Sequence, residues 1–195
     1  ANHWRDAVTY LRGDSSISEV ILSGGDPLSL ATTKLAELST ALRDIAHIRR
    51  LRIHTRLPLV LTERIDEEFC AWLGSLPWTV VMVLHANHAN EVDQTVAGAC
   101  ARLRAAGATL LNQSVLLRGI NDSSAALAAL SEALIACGVM PYYLHQLDRV
   151  AGTAHFEVSD QRARALIEEL RVKLPGYLVP QLVREITDLG YKLPL

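Results

Sequence analysis

Lysine is scarce in this sequence. Of its 19 basic residues 16 are arginine, and Lys34, Lys173 and Lys192 are the only lysines. Chemistry that needs an amine able to lose its proton, which a guanidinium cannot supply, therefore has three candidates. Cysteine is equally sparse. Cys70, Cys100 and Cys137 are 30 and 37 residues apart, with no CxxC and an odd total, which excludes a disulfide framework or a metal knuckle within the chain. All three read as buried thiols of a reducing cytoplasm. No apolar run approaches the ~18 residues of a membrane span. A formal charge of −2 and a pI near 6.4 exclude the strongly basic surface that gripping nucleic acid or an anionic membrane requires. The opening ANHWRDAVTYLRG shows neither a signal peptide nor an initiator methionine, and it spaces Trp4, Val8 and Leu11 like a helix. The expectation is that the chain begins inside a larger protein.

What is present is apolar residue, about half of 195, enough for one substantial core and a single domain over residues 1–195. It is arranged in a rhythm. Five β-like runs, EVILSG from Glu19, RRLRIHT from Arg49, TVVMVLH from Thr79, TLLNQSV from Thr109 and VMPYYLH from Val139, each start 30 residues after the last. Between them TTKLAELSTALRDI, EEFCAWLGSL, VDQTVAGACARLRAAG and AALAALSEALIACG carry apolar residues at helical spacing, often with a glycine after the end. Strand, helix and strand at this interval predict βαβ units, parallel strands and an α/β fold.

Parallel architectures present ligands beyond the carboxyl ends of their strands. The five ends here deliver Ser23-Gly24-Gly25-Asp26, then His54 with Arg56, then His85, Asn87 and His88, then Asn112, Gln113 and Ser114 with Arg118 beyond, and finally Tyr142, Tyr143, His145 and Asp148. Convergence of so many polar groups at one end of the sheet points to a site. SGGDP admits two readings: a tight turn after the first strand, or backbone left bare for the close approach of a ligand.

The runs SGGDPL, LRIHTRLPLVL, HANHANEVD, LLNQSVLLRGIND, MPYYLHQLDRVAGTAHF and GYLVPQLVREI resemble the lysine 2,3-aminomutase family of radical S-adenosylmethionine enzymes, and within it the branch that makes (R)-β-lysine for elongation factor P. The resemblance runs over essentially the whole chain. It implies a partial (β/α)6 barrel, an isomerase activity that turns L-α-lysine into β-lysine, and three cofactors: a [4Fe–4S] cluster, S-adenosylmethionine and pyridoxal 5′-phosphate. The family's cluster motif, CxxxCxxC, is absent. The pattern places it upstream of Ala1 on the first strand, so the five runs correspond to strands two to six, and the chain alone is expected to be inactive.

The same resemblance implies roles for particular residues. Ser23, Gly24, Gly25 and Asp26 match the element that lies along the amino acid part of S-adenosylmethionine, and His85, His88, Gln113 and Ser114 stand where the family surrounds the nucleoside. Arg56 and His54 stand at a strand end suited to a carboxylate or phosphate. Asp148 and Glu185 match the two acids that receive the substrate's ε-ammonium, and Lys192, twelve residues after Pro180, matches the lysine that forms the Schiff base with pyridoxal phosphate. The approach to that lysine, Thr187 to Tyr191, is bulkier than the family's small-residue segment. Lysine is then the small-molecule partner, with elongation factor P and its ligase as the pathway link, a cytoplasmic location, and room for a homo-oligomer. Three alternatives stand beside this reading: a lysine-catabolic aminomutase, a (β/α)-barrel lyase or aldolase using a Schiff base without radicals, and a non-catalytic fragment.

Overall fold

The computed structural model describes residues 4–148, 150–187 and 189–195; Asp188, in the approach to Lys192, lies outside the described residues. Strands β1 (Glu19–Leu22), β2 (Arg50–Thr55), β3 (Thr79–Leu84), β4 (Thr109–Val115) and β5 (Met140–His145) begin within one residue of the positions expected from the rhythm. Each pairs in parallel with the next. The structure adds two strands that the rhythm did not reveal. The short β6 (Gln181–Arg184) continues the parallel order beside β5, and β7 (Leu193–Pro194) turns back antiparallel to β6.

Helices α1 (Arg5–Gly13), α2 (Thr32–Arg43), α3 (Leu57–Val60), α4 (Glu67–Gly74), α5 (Gln94–Ala105), α6 (Ser124–Ala136) and α7 (Asp160–Lys173) fill the connections. Four of them start where a short polar side chain takes up first-turn amides: Asp66 before α4, Asp93 before α5, Ser123 before α6 and Ser159 before α7. Strand alternation then separates two faces. Leu51 and Ile53 of β2, Val80, Met82 and Leu84 of β3 and Leu110 of β4 enter the main core with Leu35, Phe69 and Leu103 of the helices. A second core joins Leu144 and Leu182 to Leu166 and Leu170 of α7.

The opposite face is concave. Neighbouring strands lie about 4.8 Å apart, so a flat sheet would hold β1 and β5 roughly 19 Å from each other. Yet Tyr142 of β5 feels the charges of Arg52 on β2 and Glu19 on β1, while burial pushes its hydroxyl up to about 12. The sheet is thus the curled wall of a partial parallel barrel. Its β1 edge pairs with no other described strand, and an apolar hollow of about 330 Å³ lined by Trp4, Leu11, Val20 and Leu22 runs alongside. Among the described residues no helix is long and apolar enough to cross a membrane.

One side chain joins β4 to the exit of β3. Buried Asn112 accepts from the Ala86 amide at 2.8 Å and donates to the Ala86 carbonyl at 3.0 Å. Asn112→Leu keeps the volume but orphans both backbone groups, at roughly 1–3 kcal/mol for each group so stranded. The urea unfolding midpoint should fall by the equivalent of about 2–6 kcal/mol; an unchanged midpoint would show that the pair contributes nothing.

Candidate active site

Past their last ladder bonds, parallel strands leave amides without partners, and here side chains take them over in sequence around the barrel rim. Gly24 (φ 81°) and Gly25 (φ 55°) turn the chain after β1 through the left-handed region. A Cβ on either would meet no protein atom within 4 Å, so the backbone turn demands glycine and the space in front of the loop stays open. The turn delivers Asp26 across to β2. One carboxylate oxygen accepts from the Leu28 amide at 3.0 Å and the Thr55 hydroxyl at 2.7 Å; the other accepts from the amides of Arg56 at 2.7 Å and Leu57 at 3.3 Å. Arg56 in turn reaches Glu91 at 2.7 Å, whose second oxygen accepts from the amides of Asn87 at 2.7 Å and His88 at 2.8 Å.

The rim continues to β4 and β5. Asn87 accepts from the Val115 amide at 2.8 Å, and Asn121 donates to the carbonyls of both Asn87 and Val115 at 2.9 Å. Backbone bonds from Leu116 to His145 at 2.9 Å and from Gln146 to Val183 at 2.8 Å close the series to β6.

Inside this rim the concave face is polar. His54 and His85 stand edge to face at 5.7 Å, as do Tyr143 and His145. Burial first, and neighbouring positive groups second, push His54 and His145 down to about 4, and burial lowers His85, so all three are neutral at neutral pH. The Nε2 atoms of His85 and His145 and the side-chain carbonyl of Gln113 are buried and meet no protein partner. Buried polar groups are ordinarily satisfied, so these three orphans facing one concavity suit a ligand with polar groups of its own.

Lys192 sits at the mouth, where its charge acts on both His54 and His145 although β2 and β5 are distant in sheet order. Its Nζ donates to Glu185 at 2.6 Å, and that hydrogen bond, then the charge behind it, holds the Glu185 carboxyl below its ordinary range. Asp148 is exposed and close enough to act on His145. It lines a hollow of about 620 Å³ with Arg118, Glu157, Asp160 and Arg184.

The structure therefore brings His54, His85, Gln113, Asp148, Glu185 and Lys192 toward one concavity, with Ser23, Gly24 and Gly25 on its rim. Asp26 is at the rim too, with both oxygens engaged with protein, and Arg56 commits one guanidinium nitrogen to Glu91 while its side chain stays half exposed. His88 accepts from the Asn90 amide at 3.2 Å through Nδ1. Ser114 does not share the face of Gln113. It is buried on the helical side, beside Leu127, Leu130 and Ser131. Sequence reading passed over Arg52, paired with Glu19 at 2.6 Å on the concave face, and the fork from Arg184 to Asp160 at 2.6 and 3.0 Å that also takes in Gln146. The two-residue period of β2 was the available signal for Arg52; nothing local pointed to Asp160.

The residues fit the implied cofactors unevenly. An amine at the mouth and orphaned acceptors and donors behind it suit pyridoxal phosphate and a nucleoside. The cluster has no ligands here. Cys70 and Cys100 pack with the main core on the helical side and Cys137 follows α6, and burial pushes the Cys100 thiol up to about 11, away from the thiolate that iron would need. Among the described residues no group of three or more His, Cys, Asp or Glu side chains is placed to hold a metal ion.

Comparison with known proteins follows the same lines. The chain is 50% identical over 193 residues to the L-lysine 2,3-aminomutase of Escherichia coli, covering 99% of this chain and 56% of that protein. It is 50% identical over 183 residues to the L-lysine 2,3-aminomutase of Haemophilus influenzae, covering 94% and 54%. The chain thus spans about half the length of the curated relatives it matches. No protein-family model matches it. Among solved structures, a radical SAM methyltransferase from Sphaerobacter thermophilus aligns with a TM-score of 0.55 at 17% identity, over 86% of this chain and 51% of that one, a likeness of fold.

The neutral histidines make the fold acid-sensitive. Their folded values lie below the unfolded value near 6.5, so between about 6.5 and 4 the unfolded chain binds more protons and stability falls as pH falls through that window. Ring-proton NMR should show His54 and His145 titrating only near pH 4, with unfolding free energy declining over the same range. Midpoints near 6.5 would contradict the buried, neutral face.

Proposed function

The chain belongs to the lysine 2,3-aminomutase family, and we propose that it supplies strands two to six and the cofactor lysine of a radical S-adenosylmethionine domain that converts L-α-lysine to β-lysine. The reaction is an isomerisation: the α-amino group and a β-hydrogen of lysine exchange carbons, with no net oxidation. When bound, pyridoxal phosphate supplies the conjugated system that lets the amino group migrate, and S-adenosylmethionine with the cluster supplies the hydrogen-abstracting radical. The edge of β1, which no other described strand pairs with, is where a first, cluster-bearing strand would add.

The observation that carries this reading is the setting of Lys192. Of three lysines, Lys34 is paired with Glu37 on the exposed face of α2 and Lys173 donates to Ser124 at the end of α7, whereas Lys192 stands at the mouth of the polar concavity. There it would anchor the cofactor covalently. Glu185 and Asp148 offer the paired acceptors that the ammonium of a four-methylene side chain needs when it leaves water. His85 and Gln113 would orient the nucleoside through their unpartnered atoms, and the bare Gly24–Gly25 backbone would lie along the amino acid part of S-adenosylmethionine. The curled wall keeps water from the reacting carbon. Glutamate at position 185, where the lysine-catabolic branch carries aspartate, favours the role in elongation factor P modification and a cytoplasmic enzyme.

A full-length protein reconstituted anaerobically with iron, sulfide, pyridoxal phosphate, S-adenosylmethionine and a reductant should convert lysine to β-lysine. Asp148→Asn should weaken lysine binding by about 1–3 kcal/mol, the loss of one charged hydrogen-bond partner. Borohydride reduction of the pyridoxal-loaded protein should label the peptide holding Lys192. A label on Lys34 or Lys173, or unchanged lysine binding by Asp148→Asn, would overturn the assignment.

A further inference from the structure

Lys192 and Glu185 face each other across the turn between β6 and β7, with Nζ 2.6 Å from Oε2. The Lys192 side chain is about one quarter exposed and the Glu185 side chain about two thirds exposed, so the acid is open to solvent on the side away from the lysine. His145 and His54 beside them are neutral and add no second cation. The lowered Glu185 carboxyl answers to Lys192 before any other group.

We propose that Lys192 is the resident cation of the ammonium subsite: while it remains on Glu185 it occupies one of the two acceptors that a substrate ammonium needs, and the subsite is complete only once Lys192 has been drawn away. This rests on the functional reading above. Condensation with a carbonyl compound would draw it away, because the ammonium gives up its proton, its nitrogen bonds the carbonyl carbon, and the carbonyl oxygen leaves as water. The amine that anchors the cofactor then also weakens the hold on a substrate ammonium until the cofactor is in place. A partly exposed ion pair is weak, so the block is a matter of a few-fold in affinity rather than an absolute gate.

The test uses 6-aminohexanoate, which carries a terminal ammonium but no α-amino group, titrated into the 195-residue chain by NMR. Lys192→Met should bind it roughly two- to five-fold more tightly than the parent. Adding Glu185→Gln to that variant should abolish the gain. Equal or weaker binding by Lys192→Met overturns the inference alone. Absence of binding to every form overturns the ammonium pocket and the inference with it. In the parent chain, independent of any variant's folding, pyridoxal phosphate should move the titration midpoint of the Glu185 carboxyl upward; a fixed midpoint overturns the inference.

Discussion

The Asp26 carboxylate holds the rim of this molecule together. It sits on a turn that only two consecutive left-handed residues can make, and it takes up a hydroxyl and two amides at the exit of the neighbouring strand. Parallel strands diverge where their ladders stop, and each exposed amide there must find water or a side chain. In this chain Asp26 takes the Arg56 amide after β2 and Asn87 the Val115 amide at the end of β4, while Glu91 holds the amides of its own loop and meets the Arg56 side chain, and Asn121 donates across to the Asn87 carbonyl. The concavity has a fixed rim because these bonds run sideways, strand end to strand end, rather than out into solvent.

What the rim encloses follows from it. Helices cover the convex side with leucine, valine and phenylalanine, and alternation turns the remaining side chains inward. Those are histidine, tyrosine, glutamine and arginine, and burial keeps the histidines uncharged. Two ion pairs stand among them, Glu19–Arg52 on the wall and Glu185–Lys192 at the mouth. The concave face is therefore largely neutral and partly desolvated, with Lys192 at its mouth.

The 30-residue rhythm made the first five strands legible to within a residue, because each is an apolar run between amphipathic helices. The pair β6 and β7 was not. Four residues following Pro180 and two near the chain end carry no periodicity, and they are strands only because β5 offers them an edge. The polar strand ends were legible as a group but not individually. Asn112, Gln113 and Ser114 read alike in sequence, yet the pleat sends Gln113 into the concavity and the other two toward the helices. Asp26 and Arg56 were visible as charges at a site; that both are engaged in joining strands depends on distances of some thirty residues along the chain, which no local pattern carries.

Amide hydrogen exchange on the Asp26→Asn chain measures the dependence of the rim on this one side chain. Replacing one carboxylate oxygen by a donor removes the acceptor of the Arg56 amide, which should exchange roughly ten- to a hundred-fold faster, while Leu57, which also donates to the Thr55 hydroxyl, changes less and core amides such as Leu103 and Leu134 keep their protection. Unchanged exchange at Arg56, or equal acceleration throughout the core, would contradict a rim that depends on Asp26.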